Sequence, residues 1–175
     1  MRTYFSIVFL LFVSQNIIHA QNYSVGGGIG FGSFMGDFPS QTTFAGKVFI
    51  ETPSPLTIFN NLQVSLSLAQ KSQKFLPDYY DYEHYSYFIN IGLSGIFKQF
   101  LNESIIVKEN VGIIYLNDRS FDDIDYWNLG IALGFSAETE LNADATIFIG
   151  VDYGLTFMNT NVHYLNLLAG LQYKL

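Results

Sequence analysis

The sequence predicts an all-β protein: an eight-stranded antiparallel up-and-down transmembrane β-barrel behind an export signal. Three observations predict it. Apolar residues recur with period two over short stretches, which is the periodicity of strands. Aromatic residues make up 17% of the chain and charged residues only 13%, against roughly 25% charged in a soluble domain, so there is too little charge to coat a water-facing surface. Past the N-terminal apolar run no segment has the length and apolarity of a membrane helix, and only helices and closed barrels satisfy every backbone group in lipid.

The N-terminal segment sets the compartment. Met1 and Arg2 give a short positive start, residues 4–13 (YFSIVFLLFV) form an apolar run, and Ile18-His19-Ala20 ends it on a small residue, the order of a secretory signal peptide. The run is far short of the roughly 20 apolar residues that span a bilayer. Residues 1–20 are therefore expected to be removed, leaving residues 21–175 as one barrel domain. Cysteine is absent, which fits an exported chain that does not rely on disulfides.

The first strand, residues 23–34, lies in NYSVGGGIGFGSFMG, where Gly26, Gly28, Gly30 and Gly32 alternate with Val25, Gly27, Ile29 and Phe31. Neither glycine-rich nucleotide motif, G-x-G-x-x-G or G-x-x-x-x-G-K-[ST], can be read there. The second, 43–51, sets Phe44, Val48 and Ile50 against Ala45, Lys47 and Glu51. The third, 62–69, alternates Leu62, Val64, Leu66 and Leu68 with Gln63, Ser65, Ser67 and Ala69. The fourth, 85–98, opposes Tyr85, Tyr87, Ile89, Ile91, Leu93 and Phe97 to Ser86, Asn90, Gly92, Ser94 and Lys98, and the fifth covers 105–116.

The last three strands are as regular. Residues 126–139 alternate Trp127, Leu129, Ile131, Leu133 and Phe135 with Asn128, Gly130, Ala132, Gly134 and Ser136. Residues 144–157 set Ile147, Ile149, Val151, Tyr153, Leu155 and Phe157 against Asp144, Thr146, Gly150, Asp152 and Gly154. Residues 164–175 set Leu165, Leu167, Leu171 and Tyr173 against Asn166, Gly170, Gln172 and Lys174. Most runs reach the roughly 9 to 11 residues that cross a bilayer at a tilt, and the count is even, as in single-chain bacterial barrels.

Alternation leaves two orientations open. A secreted lipocalin-like barrel also has eight strands, with its apolar face turned inward around a ligand. A face of Gly, Ser, Asn and Thr is a poor soluble coat, because it lacks the Lys and Glu of soluble surfaces, whereas small residues pack well in a narrow lumen. The apolar face is therefore expected to meet lipid and the opening glycines to line the lumen. The connections agree. External loops fall at 35–42, 70–84, 117–125 and 158–163, and periplasmic turns at 52–61, 99–104 and 140–143, the first of them long for its side, with Pro53 and Pro55. Aromatic residues gather at the strand ends, Tyr115, Tyr126 and Trp127 above and Phe59, Phe97, Phe100 and Tyr173 below, as interfacial girdles do.

The export signal, the eight alternating strands and the terminal Leu171-Gln172-Tyr173-Lys174-Leu175 resemble the small outer-membrane barrels of the OmpX and OmpA transmembrane-domain type, over essentially the whole mature chain and by pattern rather than by a unique motif. The resemblance implies the bacterial outer membrane, with its lipids, lipopolysaccharide and barrel-assembly machinery as partners. Members of that family close on an aromatic residue read by that machinery; here Leu175 takes its place and Tyr173 keeps the position two before.

Candidate functional residues fall in two regions. At the periplasmic end, Lys47, Glu51, Lys98, Glu138, Asp144 and Lys174 are expected to form a lumen salt-bridge network, with Asp144 opposite Lys174. On the fifth strand Glu109 shares the face of Val107, Val111, Ile113 and Tyr115, so either a bulge turns it inward or the strand sits low in the membrane. At the outer end, Tyr79, Tyr80 and Tyr82 of the second loop, with Phe121 and Tyr126 of the third, form a candidate surface for a cell-surface protein or a host or matrix ligand, since tyrosine-rich loops recognise at low entropic cost. Asp78, Asp81, Glu83, Asp118, Asp122, Asp123 and Asp125 make that end acidic without EF-hand spacing.

A narrow eight-stranded barrel is filled by side chains, so a general diffusion pore is not expected. Catalysis is not expected either. His163-Tyr164-Leu165-Asn166 partly matches the H-x-S-N order of outer-membrane lipid A deacylases, but Leu165 stands where the nucleophilic serine belongs, and a histidine without that hydroxyl has nothing to activate. Two classes of role remain, a structural or adhesive surface barrel and, as the alternative, a secreted lipocalin-like ligand-binding barrel, with no cofactor and no metal site. The formal charge of −7 disfavours nucleic acid.

Overall fold

The computed structural model describes residues 23–35, 41–74, 78, 81, 84–102, 104–120 and 125–175; the expected signal peptide lies outside them. The described chain forms β1 (Ser24–Met35), β2 (Gln41–Pro53), β3 (Asn61–Lys71), β4 (Tyr87–Phe100), β5 (Ile105–Arg119), β6 (Tyr126–Glu140), β7 (Ala145–Thr156) and β8 (His163–Lys174). Each strand pairs antiparallel with the next, and β8 returns to β1 over a ladder from Ser24↔Lys174 to Met35↔His163, which closes the barrel.

Side-chain direction follows the pleat. The apolar residues point outward and stay exposed, among them Ile29, Phe31, Val48, Ile91, Ile113 and Leu167. A lipocalin-type orientation requires that face to point in. The glycine face of β1 points into the lumen. A Cβ on Gly30 would run into the Leu167 carbonyl, and one on Gly170 into the Gly27 carbonyl, so glycine there lets β1 and β8 approach across the closing seam.

The core lies inside the barrel. Phe34, Phe88 and Tyr164 pack across the half nearer the long loops, Phe34 edge-on to Phe88 with ring centroids 5.3 Å apart and Phe88 tilted against Tyr164 at 4.8 Å. Phe49 meets Phe148 at 5.8 Å further down. Ile114, Leu116, Val162 and Leu168 fill the gaps between them.

The first turn, residues 54–60, is long because it forms a tab. Ser54 N–H donates to the Asn60 carbonyl at 3.1 Å, Asn60 N–H to the Ile96 carbonyl at 2.8 Å, and the Asn60 side chain accepts from Lys98 N–H at 2.7 Å. Phe59 thereby lies over the bare Gly95 on the outer wall, its ring 5.1 Å from that of Phe97. The ladders on both sides of β5 run unbroken through Glu109. No bulge turns this residue inward; it faces outward and is exposed.

The seam glycines and an outer-wall glycine should respond differently to one added methyl group. Gly30→Ala and Gly170→Ala are expected to lower stability by about 1–3 kcal/mol through overpacking. Gly46→Ala, whose new Cβ would meet nothing nearer than the Gly28 carbonyl at 3.9 Å, should be tolerated. Denaturant midpoints of the variants refolded in detergent micelles measure the contrast.

Candidate functional site

At the end of the barrel that carries the short turns, inward-facing charges from four strands converge on one carboxylate. Glu51, at 0% exposure, accepts Lys98 Nζ and Lys108 Nζ, each at 2.8 Å, and the Asn61 side-chain amide at 2.6 Å. Lys108 also reaches Glu138 at 2.9 Å and donates to Gln172 Oε1 at 2.8 Å. Gln172 in turn donates from Nε2 to Glu51 at 3.1 Å and to Ser24 Oγ, tying β8 and β1 into the same knot. Buried charges are tolerated only when paired and hydrogen-bonded, and Glu51 meets this with four polar partners.

The knot contains three of the six residues expected at this end, Glu51, Lys98 and Glu138. Lys47 lies further in, bound to Asp152 at 2.7 Å. The expected Asp144–Lys174 salt bridge does not form, although Lys174 N–H donates to the Asp144 carbonyl at 2.8 Å. β7 begins at Ala145, so Asp144 belongs to a turn held by Asn142, whose side-chain oxygen accepts from Asp144 N–H at 3.0 Å and Ala145 N–H at 2.7 Å. Lys174 reaches Glu140 instead, at 3.1 Å, with both side chains about half exposed. Lys108, the hub, is the residue that sequence reasoning missed. Its signal is parity: it shares a face with Asn110 and Gly112, opposite the face of Glu109.

Above the knot a cavity of about 30 Å³ is lined by Lys47, Gln63, Lys108, Asn110, Glu138 and Asp152, polar and large enough to hold water. Below it, the mouth opens as a basin of about 440 Å³ bordered by Lys98, Glu140 and Lys174. Nearer the long loops, buried Lys71 lies over the Phe34 ring at 4.7 Å and senses the charge of buried Asp118. Among the described lumen side chains, Lys47, Lys71, Lys98 and Lys108 thus balance Glu51, Asp118, Glu138 and Asp152.

At the loop end, Tyr115 stacks on Trp127 with centroids 4.6 Å apart. Asp125 is held by Arg119 at 3.0 Å and by the Asn117 amide at 2.6 Å. The last loop is a compact hairpin in which Thr160 and Asn128 bond through their side chains at 3.1 Å, with Asn159 and Asn161 in the left-handed region at φ 53° and 45°. His84 lies against the Arg119 carbonyl at 3.1 Å. Of the candidate partner-binding residues, Tyr126 is described, half exposed at the start of β6; Tyr79, Tyr80, Tyr82 and Phe121 lie outside the described residues.

Neither a protein-family model nor a curated protein matches the sequence. Among solved structures, the barrel is similar to Neisserial surface protein A (TM-score 0.65, 13% identity, 87% of this chain and 97% of that one). It is also similar to Ail, the attachment invasion locus protein of Yersinia pestis (TM-score 0.53, 14% identity, 89% and 99%). A third similar structure is the N-terminal β-barrel domain of Pseudomonas aeruginosa OprF (TM-score 0.50, 8% identity, 89% and 98%). At these identities the likeness is one of fold.

Lys108→Met should cost about 3–5 kcal/mol, because it strips Glu138 of its partner and leaves Glu51 with less compensation inside the barrel. Lys174→Met, which breaks only the half-exposed pair at the mouth, should cost about 0–1 kcal/mol. Urea unfolding of the two variants in the same detergent separates the buried knot from the rim.

Proposed function

We propose that the protein is an outer-membrane barrel that works as a rigid stand for its external loops, with a structural or adhesive role at the cell surface. The observation that carries this reading is the pairing of an exposed apolar wall with a filled lumen. A wall of Ile, Leu, Val and Phe side chains facing outward is stable in lipid and aggregation-prone in water. A lumen occupied by aromatic rings, four lysines and four carboxylates leaves no route for solutes. What varies freely on such a scaffold is its loops.

On this reading the short turns face the periplasm and the long loops the exterior. Outer-membrane lipids surround the wall, divalent cations link the acidic loops to lipopolysaccharide phosphates, and the assembly machinery reads Tyr173 and Leu175. The partner at the surface is a protein or matrix ligand engaged by Tyr79, Tyr80, Tyr82, Phe121 and Tyr126. Ail, whose fold this barrel shares, carries attachment and invasion in its name, which supports an adhesive role. Lipid A hydrolysis is not part of the reading, because Leu165 supplies no hydroxyl beside His163.

Two measurements test it. In planar bilayers the purified barrel should show no large, steady conductance; a reproducible open channel would mean that the aromatic and charged filling moves aside. Replacing residues 73–82 by a Gly/Ser linker should preserve heat-modifiable gel mobility, since doubling the length of a flexible loop costs only about 0.6 kcal/mol. The same change should abolish binding to cells, matrix or protein partners, and unchanged adhesion by the folded variant would sink the loop assignment.

A further inference from the structure

Glu109 is unlike any other charged residue of the wall. It faces outward from β5 between two outward phenylalanines, Phe97 on β4 and Phe135 on β6, its direct partners in the two ladders. Directly opposed side chains in a sheet stand about 4.5–5.5 Å apart at Cβ, so the carboxylate is flanked on both sides by rings at its own level. On its own strand the neighbours of the same face are Val107, which is buried, and Val111, which is exposed. A carboxylate in such surroundings is costly to keep in lipid, and an ionisable group there points to a partner of opposite charge.

Depth decides where that partner comes from. β5 runs for fifteen residues, about 50 Å along the strand and about 38 Å along the axis at a tilt of about 40°, against an apolar belt about 25 Å tall. Its ends therefore project beyond the hydrocarbon. Glu109, four residues in from Ile105, stands about 10 Å from the strand end, at the boundary between acyl chains and headgroups of the turn-side leaflet. A second copy of the chain offers no cation there: the one outward-facing Lys or Arg of the described strands is Arg119, at the opposite end and bound to Asp125.

We infer that Glu109, Phe97 and Phe135 form a binding site for the primary ammonium of an aminophospholipid in the turn-side leaflet. The inference rests on the membrane reading above. The carboxylate accepts hydrogen bonds from the ammonium, and the two ring faces add cation–π attraction, which strengthens where water is excluded. Outward from β4 on the turn side, Gln99 pairs with Val107 and places an amide at headgroup level for a phosphate oxygen.

The test uses the mature chain refolded into phosphatidylcholine vesicles with and without phosphatidylethanolamine. A membrane-permeant carbodiimide activates the carboxylate, the lipid amine displaces it to form an amide, and the released water leaves as the urea. Trypsin then frees residues 109–119, and mass spectrometry locates the lipid adduct. The adduct is expected on Glu109 about tenfold over Glu140, a half-exposed carboxylate at the same end of the barrel, the preference that about 1.4 kcal/mol of pairing gives. It should be absent in Glu109→Gln and several-fold weaker in Phe97→Leu/Phe135→Leu. Glu109→Gln should also raise the urea midpoint in phosphatidylcholine alone and lose that advantage when phosphatidylethanolamine is present. An inserted, heat-modifiable barrel with no adduct preference, or with the same Glu109→Gln effect in both lipids, overturns the site. A chain that stays out of the vesicles overturns the membrane reading itself, and the inference with it.

Discussion

Closure of the sheet is the constraint on which everything else depends. A strand left unpaired at an edge would expose a row of amides and carbonyls that lipid cannot satisfy. The ladder between β1 and β8 removes that edge. Closing with only eight strands makes the lumen narrow, and the narrowness dictates its contents. Glycines occupy the seam where a Cβ would strike the opposite carbonyl, and aromatic rings fill the wider stretches. The lumen charges near the turn end complete one another's bonds.

Opposite charges inside such a tube act as filling that also locks register. Glu51 takes cations from β4 and β5, and Gln172 links it to β1 through Ser24. A slip of one residue on any of these strands would send its charge to the outer face. The wall, the lumen and the register are therefore three results of one geometry. The loops are exempt from it, and recognition by this fold can vary there without disturbing the barrel.

Most of the architecture was legible in the sequence because period-two alternation is a local signal and the outer face carries it on every strand, Glu109 being an exception. Leu62 to Ala69 shows this most simply: every second residue is apolar and its partners are small or polar. The lumen was less legible, since contacts across a barrel depend on stagger between strands far apart in sequence. Lys108 reaches Glu51 over 57 positions, a distance no local pattern reports. Asp144 and Lys174 look paired on paper because both sit near strand ends with lumen parity, yet the Asn142 turn starts β7 one residue later and leaves Asp144 in solvent. Phe148 and Ile96 break the small-or-polar rule of the inner face because the lumen needs volume as well as neutrality.

The Glu51 knot also bears on time. Its members come from every strand but β7, so no subset of neighbouring hairpins can complete it. Gln172 and Ser24 meet only when the last strand finds the first, and until then part of the charge cluster stays open to water. Interactions that form after the rate-limiting step of folding do little to hasten it, but they must be broken before the chain can leave the native state. The knot thus acts as a latch set last and released first, and its main effect falls on the lifetime of the closed barrel rather than on the speed at which it is made.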